Sequence, residues 1–208
     1  MLYRPTRRYE NALRKKGYIR VCGIDEAGRG AWAGPIVAAC VILPVNARLH
    51  GVRDSKLLTA RKREQLYAEI TRQAIAWGAG VISHEVIDRV GILRANRRAM
   101  EQALTKMKSS ADYALIDGVP FWKPSLAHEF ITGADRSITA VAAASIIAKV
   151  TRDELLRGYH KEYPEYGFDE HKGYGTKEHK KNLDAIGPSP IHRRSFRPMM
   201  NRSAGAVE

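Results

Sequence analysis

Two cysteines in 208 residues, Cys22 and Cys40, sit inside apolar runs without CxxC spacing, which excludes a disulfide framework and a zinc cluster. They read as reduced core residues. No stretch approaches the ~18 consecutive apolar residues of a membrane span, and the segment MLYRPTRRYENALRKKGY lacks the apolar core of a secretory signal. The expectation is a cytoplasmic protein with no membrane partner. Acidic residues are scarce beside basic ones, 22 against 35, for a formal net charge of +13. Such a field raises the local concentration of polyanions and makes nucleic acid the leading partner, although a basic protein whose charge serves nothing specific fits the composition equally well. Internal repeats, low-complexity tracts and Pro- or Ser-rich linkers are absent too. The expected organisation is one domain over 1–208, with a basic arm at 1–17, an α/β core at 18–160 and a C-terminal lobe at 161–208.

Hydrophobic patterning predicts the elements. Ile19 to Ile24 and Ile36 to Leu43 read as two strands of a hairpin, joined by GRGAWAGP. Thr59 reads as the N-cap of a helix over Arg61 to Ala76, followed by a third strand from Trp77 to Ile82. Short helical material around Glu85 to Val90 precedes a helix from about Leu93 to Lys108, whose Asn96, Met100, Ala103, Leu104 and Met107 share one face. Tyr113 to Ile116 and Glu129 to Thr132 are short strands, Ser137 to Arg157 is a long Ala-rich helix able to lie close to a sheet, and Lys177 to Ile186 is the helix of the lobe. A meander followed by helix-connected strands specifies an α/β fold, a mixed sheet flanked by helices.

The densest chemistry lies in GIDEAGRG, Gly23 to Gly30. Asp25 and Glu26 end an apolar strand, where unpaired charge is expensive and something cationic must offset it. Gly28, Arg29 and Gly30 have little bulk at two of three positions, so their amides can approach a phosphate or a sugar. Asp117 and Asp135 also fall at or just after strand ends, where open α/β sheets gather their sites. Four carboxylates crowded together repel; divalent cations relieve that, and oxygen-only ligands select Mg²⁺ or Mn²⁺. Such a site suits phosphodiester hydrolysis. On spacing alone, Asp135 fits the N-cap of the helix near Ser137 equally well, and Asp117-Gly118 fits an ordinary turn.

From about Tyr18 to Pro198 the chain resembles bacterial type 2 ribonuclease H, ribonuclease HII. The resemblance is carried by GIDEAGRG, DSK at Asp54 to Lys56, IDG at Ile116 to Gly118, AAASIIAKVTRD at Ala142 to Asp153, KGYGTKEH and GPSPIHRRSF. It implies a ribonuclease H-like five-stranded mixed sheet and an acidic set at Asp25, Glu26, Asp117 and Asp135 that binds two Mn²⁺ or Mg²⁺ ions. It also implies endonucleolytic cleavage of the RNA strand of RNA–DNA hybrids, incision 5′ of single ribonucleotides in duplex DNA, and 5′-phosphate and 3′-hydroxyl ends. By the same resemblance Gly28, Arg29 and Gly30 contact the 2′-hydroxyl through main-chain atoms, and Tyr174 stacks on the neighbouring deoxyribose. A monomer is expected, with a replication-clamp contact through the tail from Met199 to Glu208.

Where the family usually has GRGPLAGP this chain has GRGAWAGP, so Ala31 and Trp32 bear on substrate preference more than on catalysis. Lys56 and Arg29 are phosphate-contact candidates, against a solvated reading for each. Asp153 suits support of the site or a helical salt bridge. His171, His179 and His192 lack metal-ligand spacing and read as structural. Because neighbouring strand residues point to opposite faces, Asp25 and Glu26 can share a site only if the strand breaks or bulges near Ala27-Gly28, or if Glu26 offers its carbonyl. A non-catalytic nucleic-acid-binding protein and a type 3 ribonuclease H are the competing readings.

Overall fold

The computed structural model describes residues 4–200. In chain order its elements are α1 (Arg8–Lys15), β1 (Val21–Ala27), β2 (Ile36–Ile42), α2 (Ala60–Gln73), β3 (Ala76–Ile82), α3 (His84–Val90), α4 (Ile92–Lys106), β4 (Tyr113–Asp117), β5 (Ala127–Ile131), α5 (Thr139–Glu162), α6 (Phe168–His171), α7 (Lys177–Ile186) and α8 (Arg197–Met200). The five strands form one sheet in the order β3-β2-β1-β4-β5. β1, β2 and β3 are antiparallel, as a meander requires, while β4 and β5 run parallel to β1. Among the described residues no helix is long and apolar enough to cross a membrane.

Strand alternation builds the two faces. Ala27, Val37, Ala39 and Val41 turn toward α2 and the Ala-rich α5, whereas Cys22, Ile24, Ala38, Cys40 and Ile116 turn toward α4. Both cysteines are free and buried, as expected of core residues. Alanine lets α5 lie close, and glycine in the strand completes the approach: a Cβ on Gly23 would stand 2.2 Å from the backbone carbon of Ala140. Gly23→Ala must push strand and helix apart, and we expect a loss of about 3 kcal/mol, at the upper end of overpacking costs. A shift of the urea midpoint at unchanged slope measures it; an unshifted midpoint would mean that the helix yields freely.

Element ends differ from the sequence expectation for identifiable reasons. β1 starts at Val21 because the amides of Ile19 and Arg20 donate to the Asp112 carboxylate, at 2.7 and 2.9 Å, instead of to a strand partner. α5 continues to Glu162, past Arg157, where Tyr159 packs on the cluster formed by Leu156, Tyr166 and Phe168. The basic arm is a docked helix: Glu10 is buried and accepts from the Ala140 amide at 3.1 Å, supplying a carboxylate to the N-terminus of α5. Arg14 of the same helix donates to the Leu43 carbonyl at 3.0 Å.

Candidate active site

The register of β1 and β4 pairs Ile24 with Ile116, so the next residues, Asp25 and Asp117, leave adjacent parallel strands side by side. Asp25 is buried, and its Oδ1 accepts the Glu26 amide at 2.7 Å. The Ser145 hydroxyl of α5 favours the charged form of this carboxylate. Behind it, the Ser145 and Ser55 hydroxyls lie 3.0 Å apart, which ties the DSK segment to the site. Asp117 Oδ1 accepts the Ala134 amide at 2.6 Å and so holds the 3-10 turn Ala134–Arg136, on which Asp135 sits buried. The N-cap of α5 is Ile138, so Asp135 does not cap that helix.

Glu26 reaches the site differently. The pairing of β1 with β2 runs without interruption from Cys22 to Ala27, where the strand stops and Gly28 turns to positive φ, so of the expected break or bulge near Ala27-Gly28 the structure has the break. Glu26 points to the α4 face, where the Asn96 side chain stabilises its charged form, and it still borders the Asp25 cavity because the strand ends one residue later. At that end of the sheet the two faces open onto common space.

The cavity, about 430 Å³, is lined by Asp25, Glu26, Gly28, Arg29, Gly30, Ser55, Lys56, Ser145, Lys149 and Tyr174. Asp117 and Asp135 are outside its lining; Asp117 acts electrostatically on Asp25 and Glu26 and also on Asp135, and so links the cavity to the fourth carboxylate. Burial pushes the Asp25 carboxyl well above the usual carboxylate range, with Glu26 and Asp117 adding to the effect. Burial likewise raises Glu26 and, with Asp117 and Asp54, Asp135. Among the described residues none of these four carboxylates has a Lys, Arg or His ion-pair partner within 4.0 Å. No three His, Cys, Asp or Glu side chains among the described residues converge tightly enough to hold an ion by themselves. The donor set nevertheless fits hard divalent cations: it is all oxygen, mutually repelling and partly desolvated.

Groups with raised native pKa bind more protons folded than unfolded, so the metal-free protein loses stability as pH rises through the window above the ordinary carboxylate value of 3.8. Mn²⁺ or Mg²⁺ should therefore raise the melting midpoint more at pH 8 than at pH 5, the stabilisation at pH 8 being about 2.7 kcal/mol at a hundred times the Kd that holds there. Equal increments at both pH values would count against ion binding by these carboxylates.

Around the glycines the geometry is equally specific. Gly28 has φ +92, and a Cβ there would lie 2.1 Å from Arg152 Nε. Its amide donates to the Tyr174 hydroxyl at 3.1 Å. Arg29 and Gly30 are exposed, with open space where a Gly30 side chain would project. The Lys149 ammonium lies 5.5 Å from the Tyr174 ring centroid. The loop carrying these groups is fastened to the lobe, since the Trp32 amide donates to the Gly173 carbonyl at 2.8 Å and the Arg193 amide to the Trp32 carbonyl at 2.8 Å. Ala31 is fully buried and Trp32 packs on His179 with ring centroids 5.4 Å apart, so the GRGAWAGP departure falls on this seam and away from the carboxylates.

Sequence reasoning missed Asn96, Ser145, Asp54, Lys149, Arg152 and Arg193. Asn96 and Ser145 had a usable signal, a polar residue inside an otherwise apolar helical face. Asp54 accepts the Lys56 amide at 3.0 Å and pairs with Arg136 at 3.5 Å, which leaves the exposed Lys56 side chain directed by a fixed turn. Asp153 pairs with Lys149 at 2.6 Å and Arg63 at 3.7 Å, the salt-bridge reading of that residue.

The family model described as Ribonuclease HII matches residues 22–199. The chain belongs to the ribonuclease HII family. Ribonuclease HII of Acholeplasma laidlawii is 48% identical over 196 residues, 92% of this chain and 94% of that protein. The crystal structure of ribonuclease H2 from Pyrococcus horikoshii superposes with a TM-score of 0.73 at 26% identity, covering 88% of this chain and 96% of that one. The ribonuclease HII in a PCNA complex from Archaeoglobus fulgidus superposes at 0.65 with 25% identity, covering 86% and 96%. Ribonuclease HII membership makes the chain a ribonuclease H hydrolase with a ribonuclease H-like fold.

Proposed function

We propose that the protein is a metal-dependent endonuclease that hydrolyses the RNA strand of RNA–DNA hybrids and incises 5′ of single ribonucleotides in duplex DNA, leaving 5′-phosphate and 3′-hydroxyl ends. The observation that carries this reading is one cavity lined both by Asp25 and Glu26 and by Gly28, Arg29, Gly30 and Tyr174. Asp25, Glu26, Asp117 and Asp135 would hold two Mg²⁺ or Mn²⁺ ions. Bound divalent ions supply activation of water and stabilisation of the leaving oxygen in phosphodiester hydrolysis. The chain's own residues orient the substrate. Tyr174 accepts from Gly28 through its hydroxyl oxygen and keeps its own hydrogen for donation, so the hydroxyl and the neighbouring amides of Arg29 and Gly30 suit a 2′-hydroxyl, the group that separates RNA from DNA. We assign the Tyr174 ring to the adjoining sugar and the positive charge along the backbone path to Lys56 and Arg29, a reading supported by their lining the same cavity.

We read the whole chain as one domain acting as a monomer, in which the C-terminal lobe contributes the junction-reading tyrosine. The clamp contact assigned to the tail from Met199 to Glu208 extends to this chain the PCNA complex of the Archaeoglobus relative; residues 201–208 lie outside the described residues. The deciding experiment compares an all-RNA/DNA hybrid with a DNA duplex carrying one ribonucleotide, in Mg²⁺, in Mn²⁺ and with EDTA. We expect both to be cut, the second on the 5′ side of the ribonucleotide, and EDTA to stop both. Cleavage that persists in EDTA would overturn the metal dependence, and an intact second duplex would overturn the junction claim.

A further inference from the structure

His171, His179 and His192 take no part in the carboxylate site, yet all three are buried and joined to one another. His171 and His179 stack with centroids 4.2 Å apart, and His179 Nε2 lies 2.9 Å from His192 Nε2. The fixed directions of backbone donors decide every tautomer. The Ser189 amide points at His192 Nδ1 from 2.9 Å, so that nitrogen holds a lone pair and the ring proton is on Nε2. This N–H can only donate to a bare Nε2 on His179. His179 is then protonated at Nδ1 and donates to the Tyr174 carbonyl at 2.9 Å. In the same way the Gly173 amide donates to His171 Nδ1 at 3.1 Å, and His171 Nε2 donates to the Tyr166 carbonyl at 2.7 Å. Every ring is neutral, every ring nitrogen is used, and the bonds run one way from Ser189 to Tyr174. Burial holds His179 down to about 4 and His192 to about 3, so the rings stay uncharged at neutral pH.

We propose that His192 and His179 form a tautomer-locked relay that positions Tyr174 and thereby sets discrimination between a single ribonucleotide and an RNA tract. The loop needs such support, because Lys172 and Gly173 both adopt positive φ, 52 and 75, immediately before the tyrosine. Tyr174 is held at both ends: its carbonyl accepts from His179 Nδ1 and from the Thr176 amide at 2.8 Å, its amide donates to the His171 carbonyl at 3.0 Å, and its hydroxyl accepts from the Gly28 amide, which fixes where the ring lies over the cavity. Trp32 closes the arrangement, packed on His179 and so close to Gly175 that a Cβ there would meet its ring at 2.1 Å. The inference rests on the proposed role of Tyr174 at the sugar.

The test uses the full chain with His179→Leu, which removes the side-chain donor to the Tyr174 carbonyl and leaves only the Thr176 amide there, and His179→Asn, whose amide can donate from near the Nδ1 position. With Leu, the ratio of kcat/KM on the single-ribonucleotide duplex to that on the all-RNA hybrid should fall about ten-fold, a modest cost for a misplaced contact group, and Asn should restore it to within about two-fold. Long-range ¹H–¹⁵N NMR of the wild type at neutral pH should show His171 and His192 protonated at Nε2 and His179 at Nδ1. Parallel losses on both substrates, identical behaviour of Leu and Asn, or a His179 proton on Nε2 would each overturn the relay. Should Leu fail to fold, the Asn variant and the NMR tautomers decide. A wild type that cuts neither substrate would overturn the functional reading and the relay with it, whereas a wild type that cuts both, with an unshifted ratio in the Leu variant, overturns the relay alone.

Discussion

Asp25→Asn should lower cleavage ~10³-fold or more, the scale of losing one preorganised electrostatic group, and should make the metal-free protein melt at a higher temperature. The two effects share one cause. Asp25 is 5% exposed, and burial with neighbouring Glu26 and Asp117 already disfavours its charge. Asn has nearly the same shape, retains an acceptor for the Glu26 amide, and removes the repulsion. It also removes an anionic oxygen that a divalent ion requires, so the stabilisation by Mn²⁺ or Mg²⁺ should shrink along with activity. The Ser145 hydroxyl, which favours the charged carboxylate and lies 3.0 Å from the Ser55 hydroxyl, can turn to that partner and accept from the new amide, so the substitution strands no buried donor. Single-turnover cleavage and melting curves with EDTA and with Mn²⁺ check both halves. Activity within ten-fold of wild type would remove Asp25 from the chemistry, and a lower metal-free midpoint would show that its hydrogen bonds outweigh the repulsion.

The fold was legible to the extent that local pattern determines it. The apolar runs of β1 and β2, the Ala-rich run of α5 and the Thr59 cap are short-range signals, and each corresponds to an element of the structure. The carboxylates were legible as residues at strand ends, but the geometry at Glu26 was legible only as alternatives: of a break, a bulge or a main-chain contact, it is a strand that breaks off at Ala27 that lets both faces border one cavity. What stayed hidden depends on partners far away in sequence. Arg152 and Arg193 look like two more members of a basic composition, and their buried role consists of bonds to carbonyls up to 164 residues away. Main-chain acceptors leave no mark on the sequence, so spacing cannot reveal such an arginine. The histidines illustrate the same limit, since a structural reading of them is right about burial and silent about the direction in which their hydrogen bonds run.

Arg152→Lys should therefore be costly although it keeps the charge. Arg152 is 0% exposed, and its guanidinium donates through Nε to Pro35, through Nη2 to Ala33 and through Nη1 to Lys172, at 2.9, 3.0 and 2.9 Å. Two of these carbonyls belong to the loop that follows Gly28 to Gly30, and the third belongs to the loop that carries Tyr174. Arg193 lies alongside, donating to the carbonyls of Gly34, Arg29 and Pro35, and burial together with Arg152 pushes it down to about 9. Two like charges thus share a dry seam, held there by oriented carbonyls, and among the described residues neither pairs with a carboxylate within 4.0 Å. A lysine ammonium is a single point at the end of a flexible stem and cannot bridge three carbonyls on two loops. At least one would be left bare in the interior, at about 1–3 kcal/mol each, for an expected total near 3 kcal/mol. The same loosening separates Gly28 from Tyr174, so discrimination between a single ribonucleotide and an RNA tract should fall with stability. Urea midpoints and the two-substrate ratio test this together. An unchanged midpoint with weakened cleavage of both substrates would mean that Arg152 acts as positive charge beneath the backbone path, and that the seam is held by other bonds.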